Sequence, residues 1–309
     1  MAHRNIFLIT GATSGLGLET AIVLAKADKA NMIIVGARSP LVADALRKAI
    51  AEDQLTVLEL DTSSQESVRR FAAEAQAVLG SNTLAGVALN AGIQIVSGDQ
   101  FSVDGDDLTF ATNVLGHIAL NQYLQPVLTP STIIVSTASG THDKDHKLAS
   151  AYKFYGGFFP SAALVAAGKV SEATEAAQLG RDRYATSKLC NILFTYAMGR
   201  KHGPSGPRYI AFDPGLMPGT ELARDQPAAI RFAWKNILPT AAKLIDGAST
   251  AKRSGAMLGQ ILMGQRFPDG TGLHTEFTGK AIPSSRLSYD EAIQDALMAW
   301  AEERRLALG

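Results

Sequence analysis

The chain has 309 residues, 46% hydrophobic and 19% charged, and its formal net charge is zero. That balance describes an ordinary globular protein with a substantial core, and without a basic excess it argues against a nucleic-acid or anionic-membrane partner. The single cysteine, Cys190, excludes an internal disulfide and suits a reducing compartment.

Ile6 to Thr10 is nearly all apolar, as a strand buried on both faces of a parallel sheet is. It starts so close to Met1 that no removable leader is expected. Gly11, Gly15 and Gly17 follow in a T-G-x-x-x-G-x-G spacing, and Leu18 to Ala27 runs at helical period. Strand, glycine turn and helix is the arrangement that binds a dinucleotide: glycines let the backbone approach a pyrophosphate, and the helix N-terminus supplies free N–H groups. Gly11, Thr13, Ser14, Gly15, Leu16 and Gly17 are the expected contacts.

Ile33 to Gly36 reads as a second strand and Pro40 to Ala51 as a helix. Leu55 to Leu60 is a third strand, followed by a helix that Thr62 or Ser63 caps and that runs to Leu79. Leu84 to Leu89 is a fourth strand, Leu108 to Leu128 a long helix, and Ile133 to Thr137 a fifth strand. This alternation predicts an α/β fold, a Rossmann-type doubly wound parallel sheet with right-handed crossovers. No repeat, low-complexity tract or linker divides the chain, so residues 1–309 are expected to form a single domain.

The rhythm then breaks. Residues 140–181 contain no clear strand, but hold a polar patch from His142 to His146 and an aromatic cluster (Tyr152, Phe154, Tyr155, Phe158, Phe159). Loops this long in a compact domain are usually functional or disordered. A helix from Arg183 to His202, a strand at Tyr209 to Phe212, a Pro-punctuated helical part and a last helix from Tyr289 to Leu306 complete the chain. The longest uncharged apolar stretch, Phe154 to Gly168, is too short and too rich in Gly and Pro to span a bilayer, so a cytoplasmic protein without a membrane segment is expected.

Tyr184 and Lys188 lie four apart near the start of a predicted helix and share a face. A Tyr hydroxyl titrates near ~10, and an adjacent ammonium pulls that value toward neutral, where the group can donate or accept a proton. Alone, the spacing equally describes an exposed Tyr and a solvated Lys.

It is not alone. The glycine turn, Asn90-Ala91-Gly92 after the fourth strand, Asn113 in the long helix, a Ser after the fifth strand and Tyr184-x-x-x-Lys188 resemble, in order, the short-chain dehydrogenase/reductase family. The resemblance covers nearly the whole chain. It implies that Tyr184 is the general acid/base, that Lys188 holds the nicotinamide ribose and tunes Tyr184, and that Asn113 supports a water relay behind Lys188. Of the hydroxyls in Ser136-Thr137-Ala138-Ser139, the alignment picks Ser139 to hold the substrate oxygen, with Thr137 in reserve.

The resemblance also implies that Asn90, Ala91 and Gly92 line the cofactor. Asp61 would contact the adenine beside Thr62, although Asp61 could equally cap the next helix. Pro214-Gly215 would form the nicotinamide-side turn, with Thr220 near the carboxamide. NAD-binding members place an acidic residue at the end of the second strand. Here Ala37 and Arg38 stand there, which suits the 2′-phosphate of NADP(H).

Residues 187 to 195, the T-N-V-L-G-H segment and Ser284-Ser285 before a Trp300-containing helix resemble the subgroup of retinol dehydrogenases and light-dependent protochlorophyllide reductases. The long Ser139-to-Tyr184 spacing implies that 140–181 is an insertion beside the active site, between the fifth strand and the catalytic helix. Protochlorophyllide reductases carry a Cys proton donor directly after the Pro-Gly turn; this chain has Leu216, which cannot donate.

His142 and His146, four apart beside Asp143 and Asp145, could suggest a metal site, but the chemistry needs no metal and a solvated surface is the expectation. Cys190 points away from the Lys188 face and is read as packing. The aromatic cluster packs the insertion, lines a pocket for a bulky apolar substrate, or meets a membrane surface. The resulting expectation is an NADP(H)-dependent oxidoreductase acting on a carbonyl or alcohol of a bulky, largely apolar small-molecule substrate, with residues 216–283 on the substrate side and homo-oligomers possible. The alternatives are a carbon–carbon double-bond reductase and a non-catalytic NADP(H) sensor.

Overall fold

The computed structural model describes residues 5–220, 225, 228–236, 238 and 245–308. Parts of the predicted substrate-binding region, 221–224, 226–227, 237 and 239–244, lie outside the described residues. Strands β1 (Ile6–Thr10), β2 (Met32–Ala37), β3 (Leu55–Glu59), β4 (Leu84–Leu89), β5 (Ile133–Thr137), β6 (Arg208–Asp213) and β7 (Leu273–Glu276) form one sheet in the order β3-β2-β1-β4-β5-β6-β7. Every neighbouring pair is parallel. The order reverses between β1 and β4, which opens a cleft at their C-terminal ends.

Both faces are covered, so the strands are apolar throughout rather than alternating. Ile6 and Leu8 of β1 join one core with Val68 and Phe71 of α3 (Gln65–Leu79), Ile118 of α5 (Gly116–Leu124), Leu189 of α8 (Ala176–His202) and Leu297 of α11 (Glu291–Leu308). Phe7 and Ile9 face the other core, with Leu24 of α1 (Gly15–Ala27), Leu46 of α2 (Asp44–Ala49) and Leu258 of α10 (Ala251–Leu262). Each such buried side chain contributes about 1.5–3 kcal/mol.

The predicted long helix is interrupted. After one turn, α4 (Leu108–Phe110), residues Ala111–Leu115 adopt a π-helix before α5 begins. Single π turns of this kind collect at functional sites, and this one carries Asn113.

Four boundaries differ from the sequence reading. The helix expected over Pro40 to Ala51 splits at Ala43 (φ −90°, ψ 20°) into a 3-10 turn and α2. Helix α3 is capped by Ser64, whose hydroxyl accepts the Ser67 N–H, not by Thr62 or Ser63. Helix α8 begins at Ala176 rather than Arg183, so the insertion ends sooner and holds two short helices, α6 (Lys147–Ala151) and α7 (Ala162–Ala166). The last helix starts at Glu291, after a 3-10 turn over Arg286–Tyr289. The C-terminal part is also not helical throughout. The edge strand β7, Leu-His-Thr-Glu, is too short and polar to show a strand pattern by itself. One more helix, α9 (Ala228–Asn236), lies in the predicted substrate region. Among the described residues no helix is long and apolar enough to cross a membrane.

Candidate active site

The glycine turn sits at the cleft between β1 and β4. Gly11 has φ +69°, and a Cβ there would lie 2.8 Å from the Cα of Ala91; at Gly17 it would lie 2.6 Å from the Gly11 carbonyl oxygen. The chain comes that close because a backbone must pass with no side chain between. Ser14 stands at the N-cap of α1 in extended conformation, and its hydroxyl makes no capping bond. The hydroxyl and the first N–H groups of the helix therefore remain open to an anion. Thr13 and Gly15 are half-buried beside it, whereas the Leu16 side chain is in the core, so only the backbone of Leu16 can serve a ligand. Thr220 closes over the turn, its methyl group 3.6 Å from where a Gly15 Cβ would be.

Around this turn lie the other cofactor candidates. Arg38 follows the end of β2, exposed, with no hydrogen bond or ion pair among the described residues. Asp61 does not cap α3; its carboxylate accepts the N–H (2.9 Å) and hydroxyl (2.7 Å) of Ser63, while Thr62 is buried. Pro214 gives its carbonyl to the Ser254 hydroxyl at 2.7 Å, and Gly215 turns at φ +73°. A free cradle of backbone donors and a second turn across the cleft fit a nicotinamide dinucleotide.

A continuous buried chain of hydrogen bonds joins that cradle to α8. The Thr10 hydroxyl accepts the N–H groups of Asn90 and Ala91, both at 2.9 Å, and lies 2.9 Å from Nε2 of His117. His117 Nδ1 lies 3.1 Å from the Asn113 carbonyl, which must accept; the ring is then the Nδ1–H tautomer, and Nε2 takes the Thr10 proton. Burial holds the His117 pKa down to about 3, so the ring stays neutral as this role requires. The Asn113 amide exchanges two hydrogen bonds with the Ile93 backbone (2.8 and 3.0 Å) and donates to Ser187, whose hydroxyl donates to the Tyr184 carbonyl at 2.7 Å. A Cβ at Gly92 would lie 3.4 Å from Asn113 Oδ1 and 3.8 Å from the Lys188 nitrogen, which shows how tightly these groups converge.

Tyr184 is 6% exposed, and the Ser139 side chain stands beside its hydroxyl. Thr137, the reserve candidate, instead turns its hydroxyl toward Asn90, while its carbonyl accepts from Lys188 and Asn191, both at 2.9 Å. The Lys188 nitrogen lies 5.5 Å from the Tyr184 ring centre. The expected lowering of the Tyr184 pKa by Lys188 is reversed here. Burial first, then the negative charge of Asp213, push it above the ordinary value, opposed by the neighbouring Ser139 side chain. Burial also lowers Lys188, to about 8, with Asp213 acting against that fall. Both groups are buried, and burial disfavours the charged form of each.

The insertion lies against this centre. Gly157 packs so closely on α8 that a Cβ would lie 2.6 Å from that of Leu189. Lys153, with φ +61°, turns the chain just before Phe154, whose ring centre lies 6.0 Å from that of Tyr184. The aromatic cluster therefore divides: Phe159 packs on the core, Phe154 faces Tyr184, and Tyr152, Tyr155 and Phe158 are exposed. The polar patch is the expected solvated surface at Lys144 and Asp145, but not at His142. His142 is buried, donating from Nδ1 to the Ser139 carbonyl (2.7 Å) and accepting the Ser285 N–H at Nε2 (3.1 Å), because a 3-10 turn over Gly140–His142 folds the ring under Ser139. Cys190 is buried, as packing requires.

Two residues at this site carried no assignment in the sequence reading, and a third was placed elsewhere. His117 stood inside the quoted T-N-V-L-G-H segment, and Asp213 stood directly before Pro214; His142 was assigned to the surface. Only Asp213 offered a local signal, an acid at the end of an apolar strand.

Residues 5–153 match the family model described as short chain dehydrogenase. A short chain dehydrogenase of Gibberella zeae is 31% identical over 278 residues, covering 85% of this chain and 76% of that protein. Protochlorophyllide reductase B, chloroplastic, of Oryza sativa subsp. japonica is 28% identical over 280 residues, covering 84% of this chain; the chain spans 66% of the length of that relative. The crystal structure of an uncharacterized protein from Mycobacterium paratuberculosis superposes with a TM-score of 0.66 at 24% identity, over 98% of this chain and 93% of that one. On the match to the Gibberella protein, which extends over most of both sequences, the chain belongs to the short-chain dehydrogenase/reductase family of oxidoreductases.

Proposed function

We propose that this protein is an NADP(H)-dependent enzyme that interconverts a carbonyl and an alcohol on a bulky, largely apolar small molecule. One observation carries the reading: the Ser139 side chain stands beside the Tyr184 hydroxyl, with Lys188 one turn further along the same helix. The nicotinamide, when bound, supplies or takes up the hydride. Tyr184 keeps its proton at neutral pH, since burial and Asp213 hold its pKa high, and gives it to the substrate oxygen during reduction. Ser139 donates a hydrogen bond to that oxygen and stabilises the charge that develops there. Lys188 holds the ribose and Asn113 fixes the loop beneath it. Asn90, Ala91, Gly92, Asp61, Thr62, Pro214, Gly215 and Thr220 line the rest of the cofactor site. Arg38, exposed and uncommitted, binds the 2′-phosphate through a charge-assisted contact.

Phe154 gives the substrate an apolar wall and keeps water from the Tyr184 hydroxyl. The whole chain acts as one catalytic domain in the cytoplasm, with the insertion and residues 216–283 on the substrate side. A second reading, reduction of a carbon–carbon double bond, rests on the name of the rice relative. Leu216, next to the Pro214-Gly215 turn, supplies no proton for it.

Fluorescence titration of the purified protein with NADPH and with NADH, followed by a screen of bulky ketones and aldehydes for NADPH oxidation, tests the proposal. Tight NADPH binding, weak NADH binding and turnover of at least one carbonyl are the expected results. Equal binding removes Arg38 from the phosphate site, and no binding to folded protein overturns the reading.

A further inference from the structure

Asp213 is a buried carboxylate, 7% exposed, at the C-terminal end of β6. Strand alternation puts it on the sheet face of Ala211, which packs against Ile192 of α8. Lys188 and Tyr184 lie one and two turns before Ile192 on that helix, and Ser139 follows the neighbouring strand β5. The charge of Asp213 bears on Tyr184, Lys188 and His142 together. Its carboxylate accepts one hydrogen bond, from the Gly215 N–H at 2.9 Å, and among the described residues no cation stands in contact with it. Burying a carboxylate with so little compensation is costly, and a protein that retains one beside titratable groups in a cleft is using it.

We propose that Asp213 is a positioning residue for the reaction: its negative charge holds Lys188 as an ammonium and Tyr184 as a phenol, so that the site stands ready to give a proton to a substrate oxygen. The proposal rests on the reading of Tyr184 as the acid. The other titratable groups facing this centre are His117 from α5, His142 after β5, and His274 and Glu276 from β7. Burial keeps the three histidines neutral, with values of about 3, 4 and 4. Asp143 bears on His142 and His274, whereas among the described residues Asp213 is the carboxylate that bears on Lys188.

Asp213→Asn keeps an acceptor for the Gly215 N–H and removes the charge. In cofactor-free protein, the Lys188 side-chain carbon signals followed by NMR should titrate near pH 8 in the native chain. In the variant the midpoint should fall by about one pH unit. An unmoved midpoint in folded variant overturns the proposal. Should the variant fail to fold, the native Asp213 carboxyl carbon decides: it should shift through the Lys188 midpoint, and a flat response overturns the proposal equally. In turnover, the alkaline limb of the pH–rate profile for carbonyl reduction should move to lower pH in Asp213→Asn, whereas a uniform loss of rate with an unmoved limb marks a purely structural role. If the native protein reduces no carbonyl, the functional reading falls while the Lys188 titration still decides what Asp213 does.

Discussion

The Phe154 ring lies 6.0 Å from the Tyr184 ring, tilted by 55°, and so brings an aromatic of the insertion over that tyrosine. The chain reaches that position through Lys153, held in the left-handed region at φ +61°, a strain of order 1–3 kcal/mol that the surrounding packing must offset. Phe154→Ala should raise KM for a bulky ketone about tenfold, roughly 1.4 kcal/mol of lost apolar contact, and change kcat little. Steady-state kinetics with one large and one small carbonyl substrate checks this, since the small one should be nearly unaffected.

Tyr184→Phe removes one oxygen from a buried centre and nothing from the cofactor cradle. Turnover should fall by about 10²–10⁴-fold or more. NADPH affinity, read by fluorescence, should stay within about two-fold of the native value. Retention of most of the native rate would remove Tyr184 from the mechanism.

Arg38→Ala should weaken NADPH binding by about 10- to 100-fold, the ~1.5–3 kcal/mol of a charge-assisted contact, and leave NADH binding unchanged. Calorimetric titration with the two cofactors separates this from a general loss of the site, which would weaken both.

Acid should destabilise the fold through its buried histidines. Burial lowers His142 and His274 from the usual 6.5 to about 4. Between those values the unfolded chain takes up protons that the folded chain refuses, so stability is full above pH 6.5 and falls as pH drops toward 4. The loss is on the order of 3 kcal/mol for each ring. Urea unfolding at several values of pH should show the slope, and His274→Phe should flatten it.

Arg183 is buried beside Tyr184 and ties three segments to α8: its guanidinium lies 3.5 Å from the buried Asp107, 2.8 Å from Asp99, and donates to the Gly168 carbonyl at 2.9 Å. Arg183→Ala leaves the Asp107 charge without its partner and should cost about 3–5 kcal/mol of stability. Denaturant unfolding checks the size of the loss, and the Asp107→Asn, Arg183→Ala double variant should recover part of it.

The parallel sheet and the glycine turn were legible because each rests on a short-range pattern: apolar strands of five or six residues, glycines at fixed spacing, helices at their own period. Strand β7 was not, because an edge strand of four residues is specified by the partner it pairs with rather than by its own alternation. The same division holds within the site. Tyr184, Lys188, Asn113 and the Asn90-Ala91-Gly92 turn carry their chemistry in residue type and spacing, so the linear chain determined which groups this protein can use. Which way a proton sits on Tyr184 was decided only in three dimensions, where burial and the Asp213 carboxylate favour the phenol. The His142 ring likewise became interior only once the Gly140–His142 turn folded it under Ser139. Desolvation and charge proximity depend on distances between segments far apart in sequence, and no local pattern encodes them.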